Sequence, residues 1–287
     1  MVASTSTSPR PLPEALRSLV GQWQSQGSRP QETTKWSRSQ WQDTLPRHSE
    51  FLQGLPDQVG RADVVKVCAT AAATPADAER GFVAAMVWGY GRVGYGPYRT
   101  SRVLTANPQA PEVLRHVAEV AVNQGGVAAF EALKADRLKW LGVAFATKYL
   151  FFCAENGEGG PAPVLDRLVR GWLRVNVGTA PRLDWHLPDY TAYVEDVTAW
   201  AEELGIKPAD VEWLMFNAAA NADPASHWGS HQDGERPPSG DQAVLDALDD
   251  AAEAFAALEP APSDTDAADF EYGIRVLRRI VSARQQS

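Results

Sequence analysis

The sequence has only two cysteines and no apolar segment long enough to cross a membrane. Cys68 and Cys153 are too few for a disulfide framework, which excludes the disulfide-rich secreted class and is typical of a cytoplasmic protein. Residues 1–12 are rich in Ser, Thr and Pro and lack the apolar core of a secretory signal, so we expect a disordered leader. The most apolar stretch, residues 141–154, is shorter than a membrane span. It therefore predicts a core helix in a protein with no membrane partner.

Metal-binding and nucleotide-binding motifs are also missing. The five histidines are scattered, and only His227 and His231 have helical spacing, in a polar segment without a strong third ligand. The sequence has no Gly-Lys-Ser/Thr phosphate loop and no evident Ser/His/Asp arrangement. We therefore predict neither a metal site nor a cofactor.

Strand patterns are absent too, whereas apolar residues recur at helical spacing along most of the chain. The pattern predicts an all-α fold with a helical domain over 13–221, a linker or long loop over 222–242 and an acidic C-terminal helical hairpin over 243–287. The expected helices are 13–24, interrupted segments within 35–55, one that starts after Thr74, 111–122, 127–133, 143–154, 166–174, 190–204, 208–220, 243–258 and 266–284.

The net charge of −9 is unevenly distributed along the chain. Residues 1–188 contain 21 Lys and Arg against 16 Asp and Glu, whereas residues 189–287 contain 6 against 20. The acidic part can be read simply as a solvated, solubilising surface. Because phosphate binding depends on a local basic face, the total charge does not exclude DNA as a partner.

Lys148 is the only charged residue in the apolar stretch 141–154. One interpretation is structural, with the stem along the core and the ammonium in water. The other is chemical, because loss of hydration disfavours the charged form and a neutral amine is a nucleophile. A carboxylate eighteen residues later, Asp166, favours the chemical interpretation.

Asp166 stands where a helix should begin, after a Gly- and Pro-rich turn at 155–163. This position predicts an N-cap, which is by itself a structural role. The two roles are compatible, since hydrogen bonds at a helix N-terminus would hold the carboxylate in place. A carboxylate held in this way can stabilise a developing positive charge.

The segment from Leu138 to Lys148, with Asp166 after it, resembles the helix–hairpin–helix DNA glycosylases, and most closely the 8-oxoguanine branch and its bacterial OGG-fold relatives. In that family a hairpin that ends in Gly-Thr-Lys provides a catalytic lysine, and an aspartate about nineteen residues later caps the next helix. The resemblance covers about residues 80–215. It implies a multi-helix glycosylase fold with a helix–hairpin–helix motif.

The resemblance further implies a base excision repair enzyme, a DNA N-glycosylase with AP-lyase activity that excises an oxidised or modified purine such as 8-oxoguanine. Its partner would be double-stranded DNA with a damaged base, and its location the cytoplasm, associated with the nucleoid. Lys148 would attack C1′ and form a Schiff base. Asp166 would stabilise the oxocarbenium-like transition state and assist proton transfer.

The family's hairpin usually reads Leu-Pro-Gly-Val-Gly, and its backbone amides bind a DNA phosphate. In this sequence Ala144 and Ala146 stand nearest the expected glycines, and Gly142 lies farther back. Alanine fits only if these positions have negative φ. Amides at a helix N-terminus could still bind the phosphate.

The segment 88–102 alternates glycines with aromatic residues and arginines. It can be a tight connection whose rings pack on the core, or a loop whose rings stack on exposed bases while its arginines contact phosphates. A glycosylase must extrude its target base, which suits such a loop. The candidate base-binding residues are Trp88, Tyr90, Trp140 and Phe152. The candidate DNA-binding residues are Arg92, Arg99, Arg102, Lys139, Thr147, Arg167 and Arg170, although charges on helix faces are commonly only solvated.

Two other functions stay open on the sequence. The first is a non-catalytic DNA-binding protein of glycosylase fold, and the second is an all-α interaction protein whose acidic C-terminal part binds a basic partner. The pair Lys148 and Asp166 favours the enzyme, because a pure binder needs neither residue. The missing hairpin glycines and the acidic C-terminal part favour the alternatives. No pattern in the sequence indicates an oligomeric state.

Overall fold

The computed structural model describes residues 8–222, 248, 251, 255 and 264–284. Within these ranges two short strands, β1 (Thr34–Lys35) and β2 (Gln58–Val59), pair antiparallel, and a 3-10 turn covers Pro46–His48. The helices are α1 (Glu14–Ser25), α2 (Arg38–Thr44), α3 (Ser49–Gly54), α4 (Arg61–Cys68), α5 (Pro75–Tyr90), α6 (Gly96–Ala106), α7 (Ala110–Ala135), α8 (Val143–Ala154), α9 (Arg167–Asn176), α10 (Leu187–Leu204), α11 (Pro208–Ala222) and α12 (Asp264–Arg284). The all-α prediction is confirmed.

Two helices were not predicted from the sequence. The first is α4, whose start is fixed by a hydrogen bond of 2.8 Å from the Gly60 amide to the Asp63 carboxylate. The second is α6, which includes the last part of the segment 88–102, where the sequence predicts either a tight connection or a loop. In addition, the two helices expected at 111–122 and 127–133 form one helix, α7, with a kink at Gly125.

The C-terminal predictions fall largely outside the described residues. The expected linker, residues 222–242 with its two histidines, lies outside the described residues except for residue 222. Most of the helix expected at 243–258 also lies outside them. The second predicted hairpin helix corresponds to α12. The ring of Phe270 in α12 stacks on the ring of Phe255 with centroids 4.0 Å apart. No helix in the described ranges has the length and apolar character that a membrane span requires.

Helix α5 forms the centre of the core. Every residue from Gly81 to Tyr90 is buried, and the helix packs against α4, α7 and α8. A helix that is apolar on all sides is stable only when it is enclosed in this way. Its N-cap is Thr74, as predicted, whose hydroxyl accepts a hydrogen bond of 3.1 Å from the Asp77 amide. Helix α8, with Lys148, thus packs against the surface of helix α5.

The connection from α8 to α9 packs directly against the kink of α7. Gly125 has a φ of +83°, a conformation that favours glycine. The Gly159 amide donates a hydrogen bond of 3.2 Å to the Val122 carbonyl. A Cβ atom on Gly126 would lie 2.5 Å from the Cα atom of Ala162. This close approach of two backbones fixes the path of the chain toward Asp166.

We predict that Gly126→Ala lowers the free energy of unfolding by about 1–3 kcal/mol, the usual cost of overpacking, because the new methyl group overlaps the backbone of Pro161 and Ala162. The matched control is Gly21→Ala in α1, where the added Cβ meets no atom within 4 Å. Gly21→Ala should raise the free energy of unfolding by roughly 0.5–1 kcal/mol, because alanine is the better helix former. Urea unfolding measures both variants. Equal stability of the two would contradict the packing described.

Candidate active site

Lys148 lies in the second turn of α8 and is buried, with 5% of its surface exposed. Its Nζ atom is 3.1 Å from Oδ2 of Asp166 and 3.4 Å from the carbonyl oxygen of Ala144. It also lies 5.2 Å from the centre of the Phe145 ring. The amine is therefore held beside one carboxylate in a largely apolar environment, and it does not reach bulk water as a snorkelling lysine would.

Asp166 is the N-cap of α9, as predicted. Its Oδ1 atom accepts hydrogen bonds of 3.1 Å from the amides of Leu168 and Val169. Its Oδ2 atom contacts the amine of Lys148. The two oxygens thus have separate partners: Oδ1 fixes the carboxylate to the start of α9, and Oδ2 remains directed at the lysine.

Thr147 connects the two halves of this pair. Its hydroxyl donates to the Val143 carbonyl at 2.9 Å and accepts from the Leu165 amide at 3.1 Å. Because Lys148 follows Thr147 and Asp166 follows Leu165, this bond sets the register between them. Thr147 has no exposed surface. Its burial makes it unsuited to the direct DNA contact predicted from the sequence, and its role here is internal.

Two tyrosines of α10 hold the segment that leads into Asp166. The hydroxyl of Tyr190 donates to the Pro163 carbonyl at 3.2 Å, and that of Tyr193 donates to the Val164 carbonyl at 2.8 Å. Burial raises the pKa of both phenols, so both stay protonated and able to donate. The three consecutive residues before Asp166, Pro163 to Leu165, are therefore each held by a hydrogen bond from their backbone to a side chain.

A pocket with an empty volume of about 300 Å³, including the space at its mouth, opens beside the pair. Lys148, Asp166 and Trp88 were predicted as site residues and line it together. Other lining residues were not predicted, namely Gln31, Thr34, Arg61, Val164, Glu212 and Phe216. Glu212 had a readable signal, because it is flanked by the apolar residues Val211, Trp213 and Leu214 of α11. Arg61 had none, because it begins a helix that the sequence pattern did not reveal.

Arg61 and Glu212 form a second buried ion pair in this pocket. The Nη2 atom of Arg61 lies 2.5 Å from Oε2 of Glu212, and the guanidinium also donates to Gln31 and to the Ala209 carbonyl. Burial raises the pKa of the Glu212 carboxyl, while the Arg61 guanidinium opposes that rise. The pocket therefore contains two cations and two carboxylates whose charges balance.

The four predicted base-binding aromatics have different positions. Trp88 lines the pocket, and Phe152 is fully buried behind it, with ring centroids 5.0 Å apart in an edge arrangement. Tyr90 is buried and stacks on Phe145 at 3.9 Å, next to the lysine stem. Trp140 lies away from the pocket lining and is 57% exposed. Of the four, only Trp88 contacts the pocket itself.

The predicted DNA-binding cations lie on several elements of the structure. Arg102 on α6 lies 3.4 Å from the ring centre of Trp140, whose φ is +71°. Lys139, beside Trp140, is exposed, and its backbone amide and carbonyl both bond to Asn107. Arg92 is half-buried in the turn before α6, Arg99 lies over the Tyr95 ring, Arg167 is exposed at the start of α9, and Arg170 donates to the Pro181 carbonyl.

The alanines that replace the expected hairpin glycines lie inside a helix. Gly142 is the N-cap of α8, and Ala144 and Ala146 fall in its first turns without positive φ. Alanine therefore meets no backbone strain there. The amides free to meet an anion at this end are those of the first turn of α8.

Gly89 permits the approach of the lysine to α5. A Cβ atom at this position would lie 2.9 Å from Cδ of Lys148 and 3.2 Å from Cε1 of Phe145. Only a residue without a side chain leaves the lysine stem in its present path. The glycine within Trp88-Gly-Tyr90 is thus explained by packing against Lys148.

We predict that Thr147→Val lowers the free energy of unfolding by about 1–3 kcal/mol, because the buried Leu165 amide loses its acceptor. The matched control is Thr198→Val on α10, whose hydroxyl bonds only to the Val194 carbonyl of its own helix. That change should lower the free energy of unfolding much less, since no buried amide loses its hydrogen-bond acceptor. Denaturant unfolding compares the two variants. Equal losses would contradict a special role for the link between Thr147 and Leu165.

A family model described as "Putative 8-oxoguanine DNA glycosylase OGG-like protein" matches residues 27–216, a range that includes all the lining residues of the pocket. The chain has no significant match among curated proteins or among solved structures. Because the matched range covers more than half of the sequence, the chain belongs to this OGG-like family of DNA glycosylase relatives.

Proposed function

We propose that the protein is a DNA glycosylase with AP-lyase activity that removes an oxidised or modified purine, with 8-oxoguanine as the first substrate to test. The observation that supports this best is the 3.1 Å contact between Nζ of Lys148 and Oδ2 of Asp166 at the wall of a pocket. A nucleophile and a base within hydrogen-bond reach are what amine catalysis requires. Membership of the OGG-like family supports the same reaction.

The first step requires a neutral amine. In the resting protein Lys148 and Asp166 form an ion pair, so one proton must leave the ammonium before the amine attacks. Oδ2 of Asp166 lies within reach to accept that proton. The nitrogen of Lys148 then bonds to C1′ of the nucleotide as the bond from C1′ to the base breaks. The base leaves with the bonding electrons and takes up a proton, for which the protonated Asp166 is the nearest donor.

Positive charge develops on the sugar during this step. Asp166 returns to the carboxylate as its proton passes to the departing base, and the carboxylate then stabilises that charge while its Oδ1 atom stays fixed by the amides of Leu168 and Val169. The bond from C1′ to the ring oxygen O4′ then breaks, a proton passes from the nitrogen of Lys148 to O4′, and a Schiff base forms between Lys148 and C1′. Loss of a proton from C2′ and cleavage of the bond from C3′ to oxygen complete a β-elimination, which breaks the DNA strand.

The depth of the site determines the form of the DNA substrate. Lys148 and Asp166 are both buried, so a base within a stacked duplex cannot reach them. The target nucleotide must be turned out of the duplex into the pocket. The exposed cations, among them Arg102, Lys139 and Arg167, are the proposed contacts to the phosphates. A DNA substrate agrees with a location in the cytoplasm beside the nucleoid.

We predict that sodium borohydride traps the wild-type protein covalently on a labelled duplex that contains 8-oxoguanine, because borohydride reduces the Schiff base. Lys148→Gln should give no covalent complex. Asp166→Asn should slow its formation by about a hundredfold or more, the usual contribution of a positioned acid or base. Denaturing gels measure the complex and the nicked strand.

The control for this experiment is Lys66→Gln, which removes an exposed lysine of α4 and should leave trapping unchanged. Trapping that persists in Lys148→Gln would assign the reaction to another amine. A wild type that neither cross-links nor nicks duplexes with oxidised, alkylated or abasic sites would refute the proposed lyase. If such a protein still bound DNA, a non-catalytic binding role would replace it.

We also predict that Gly89→Ala reduces the single-turnover rate about tenfold to a hundredfold with little change in stability. The added methyl group displaces the flexible stem of Lys148, and small misplacements of a reacting group have effects of this size. The matched control is Gly171→Ala in α9, where the added Cβ meets no atom within 4 Å. Rates and melting temperatures measured together separate lost positioning from lost folding. An unchanged rate in Gly89→Ala would contradict this role of the glycine.

A further inference from the structure

Lys148 and Asp166 are enclosed more tightly than a nucleotide substrate permits. Lys148 has 5% of its surface exposed, and Asp166 has 9%. The pocket beside them has an empty volume of about 300 Å³ with its mouth included, at the lower end of the roughly 300–1,000 Å³ usual for small-molecule sites. A nucleotide must bring its C1′ atom against Nζ of Lys148. One wall of the pocket therefore has to move.

One wall differs from the others in how little of it is buried. The segment 26–35, which follows α1 and ends before the buried Trp36, contributes Gln31 and Thr34 to the pocket. The other walls are the helices α4, α5, α8 and α11 and the anchored connection that leads into Asp166. We call residues 26–35 the strap. None of its ten residues is buried, and none belongs to the hydrophobic core. Segments with few buried apolar contacts open with the lowest free energy.

The ends of the strap are fixed, and a sharp turn lies near the first of them. Trp23 donates its indole N–H to the Arg29 carbonyl at 2.7 Å, and Trp36 packs in the core. Between the two tryptophans, Gly27 and Ser28 have φ values of +85° and +51°. Hinges are formed by a few loop residues that absorb changes in φ and ψ. Rotation at this turn can swing the strap while its ends stay in place.

Polar contacts hold the strap over the pocket. Nε of Arg61 donates to Oε1 of Gln31 at 2.5 Å, and the Thr33 hydroxyl donates to Oε1 of Gln58 at 3.0 Å. Strand β1, at the end of the strap, pairs with β2 over two residues on each side. Water can replace hydrogen bonds of this kind, so each of them adds only modestly to stability. Lifting the strap therefore exchanges polar contacts for hydration and exposes little apolar surface.

We propose that the strap is a gate, which lifts to admit the extruded nucleotide and then closes over it, with the bond between Gln31 and Arg61 as its latch. This inference rests on the proposed function, because it describes how a substrate enters the same pocket. When the strap lifts, Gln31 and Thr34 leave the pocket wall and Lys148 becomes accessible. When it closes, it excludes bulk water, which would otherwise hydrolyse the Schiff base.

An engineered disulfide can lock the strap in its closed position. A Cβ atom on Gly60 would lie 3.2 Å from Cγ2 of Thr33, so in Thr33→Cys/Gly60→Cys the two sulfur atoms are within bonding reach. Gly60 has a φ of −98°, which a cysteine also adopts. Neither residue lines the pocket. Oxidised glutathione converts the two thiols to the disulfide, and dithiothreitol reduces it again.

The first measurement is covalent trapping on a duplex that contains 8-oxoguanine, with sodium cyanoborohydride as the reductant because it leaves disulfides intact. The oxidised double variant should trap at least about tenfold more slowly than its reduced form, since few molecules reach the open state. Dithiothreitol should restore the wild-type rate. The controls are both single cysteine variants and wild type, whose Cys68 and Cys153 are buried. None of the three should respond to the oxidant.

The second measurement does not depend on the proposed chemistry. Pyridoxal phosphate is an aromatic aldehyde of about the size of a nucleobase, and it condenses with an amine as water leaves. Cyanoborohydride reduces the imine to a stable amine, and mass spectrometry of the peptides gives the rate at each lysine. Lys148 should react about tenfold more slowly in the oxidised double variant, because the closed strap blocks its access. The exposed Lys66 is the internal control and should react equally in both forms.

The two measurements separate the gate from the glycosylase. If no DNA is trapped but locking slows the labelling of Lys148, the gate stands and the proposed catalysis falls. If the oxidised and reduced forms label Lys148 at the same rate, or trap DNA at the same rate, the gate is overturned. If the first pair does not fold or does not oxidise, Lys35→Cys/Gln58→Cys takes its place. These two exposed residues are opposite each other in β1 and β2, a separation that suits a disulfide. The same outcomes then decide.

Discussion

The ion pair between Lys148 and Asp166 joins the second turn of α8 to the first turn of α9 inside the protein. A buried ammonium without an anion would be strongly unfavourable, and so would a buried carboxylate without donors. Each group therefore requires the other, and Asp166 requires in addition the amides of Leu168 and Val169. The same interaction that makes the lysine tolerable in the core also places a proton acceptor beside it. Stability and the proposed reactivity depend on one geometry.

Much of the surrounding structure serves to keep that geometry. The hydrogen bond between Thr147 and Leu165 fixes the register of α8 against the segment that leads into α9. The kink at Gly125 leaves room for the turn that connects α8 to α9. Gly89 leaves room on α5 for the lysine stem. None of these residues is an acid, a base or a nucleophile. They restrict Lys148 and Asp166 to one separation, and in the proposed reaction such restriction is how the scaffold would contribute to catalysis.

The parts of the site that could be predicted are those with a local signal. Lys148 interrupts an apolar stretch, Asp166 stands at a helix start, and both signals depend only on neighbouring residues. The helices with clear apolar periodicity were found for the same reason. Arg61 lies on α4, a helix of eight residues, and it meets Glu212 across 151 positions of sequence. No local sequence pattern predicts such a contact, since it forms only when α4 packs against the rest of the fold. The segment 88–102 was read as a loop because its glycines hid the helical positions of Arg99 and Arg102 in α6.

The two carboxylates of the pocket, Asp166 and Glu212, differ in their surroundings. Asp166 accepts two backbone amide hydrogen bonds and contacts the ammonium of Lys148. Glu212 is enclosed more completely, and burial raises its pKa against the influence of Arg61. In the proposed reaction the first carboxylate stabilises positive charge on a sugar. The second has the guanidinium of Arg61 as its partner. One pocket thus holds two acidic groups with different cations, and Asp166 is the one that contacts the amine of Lys148.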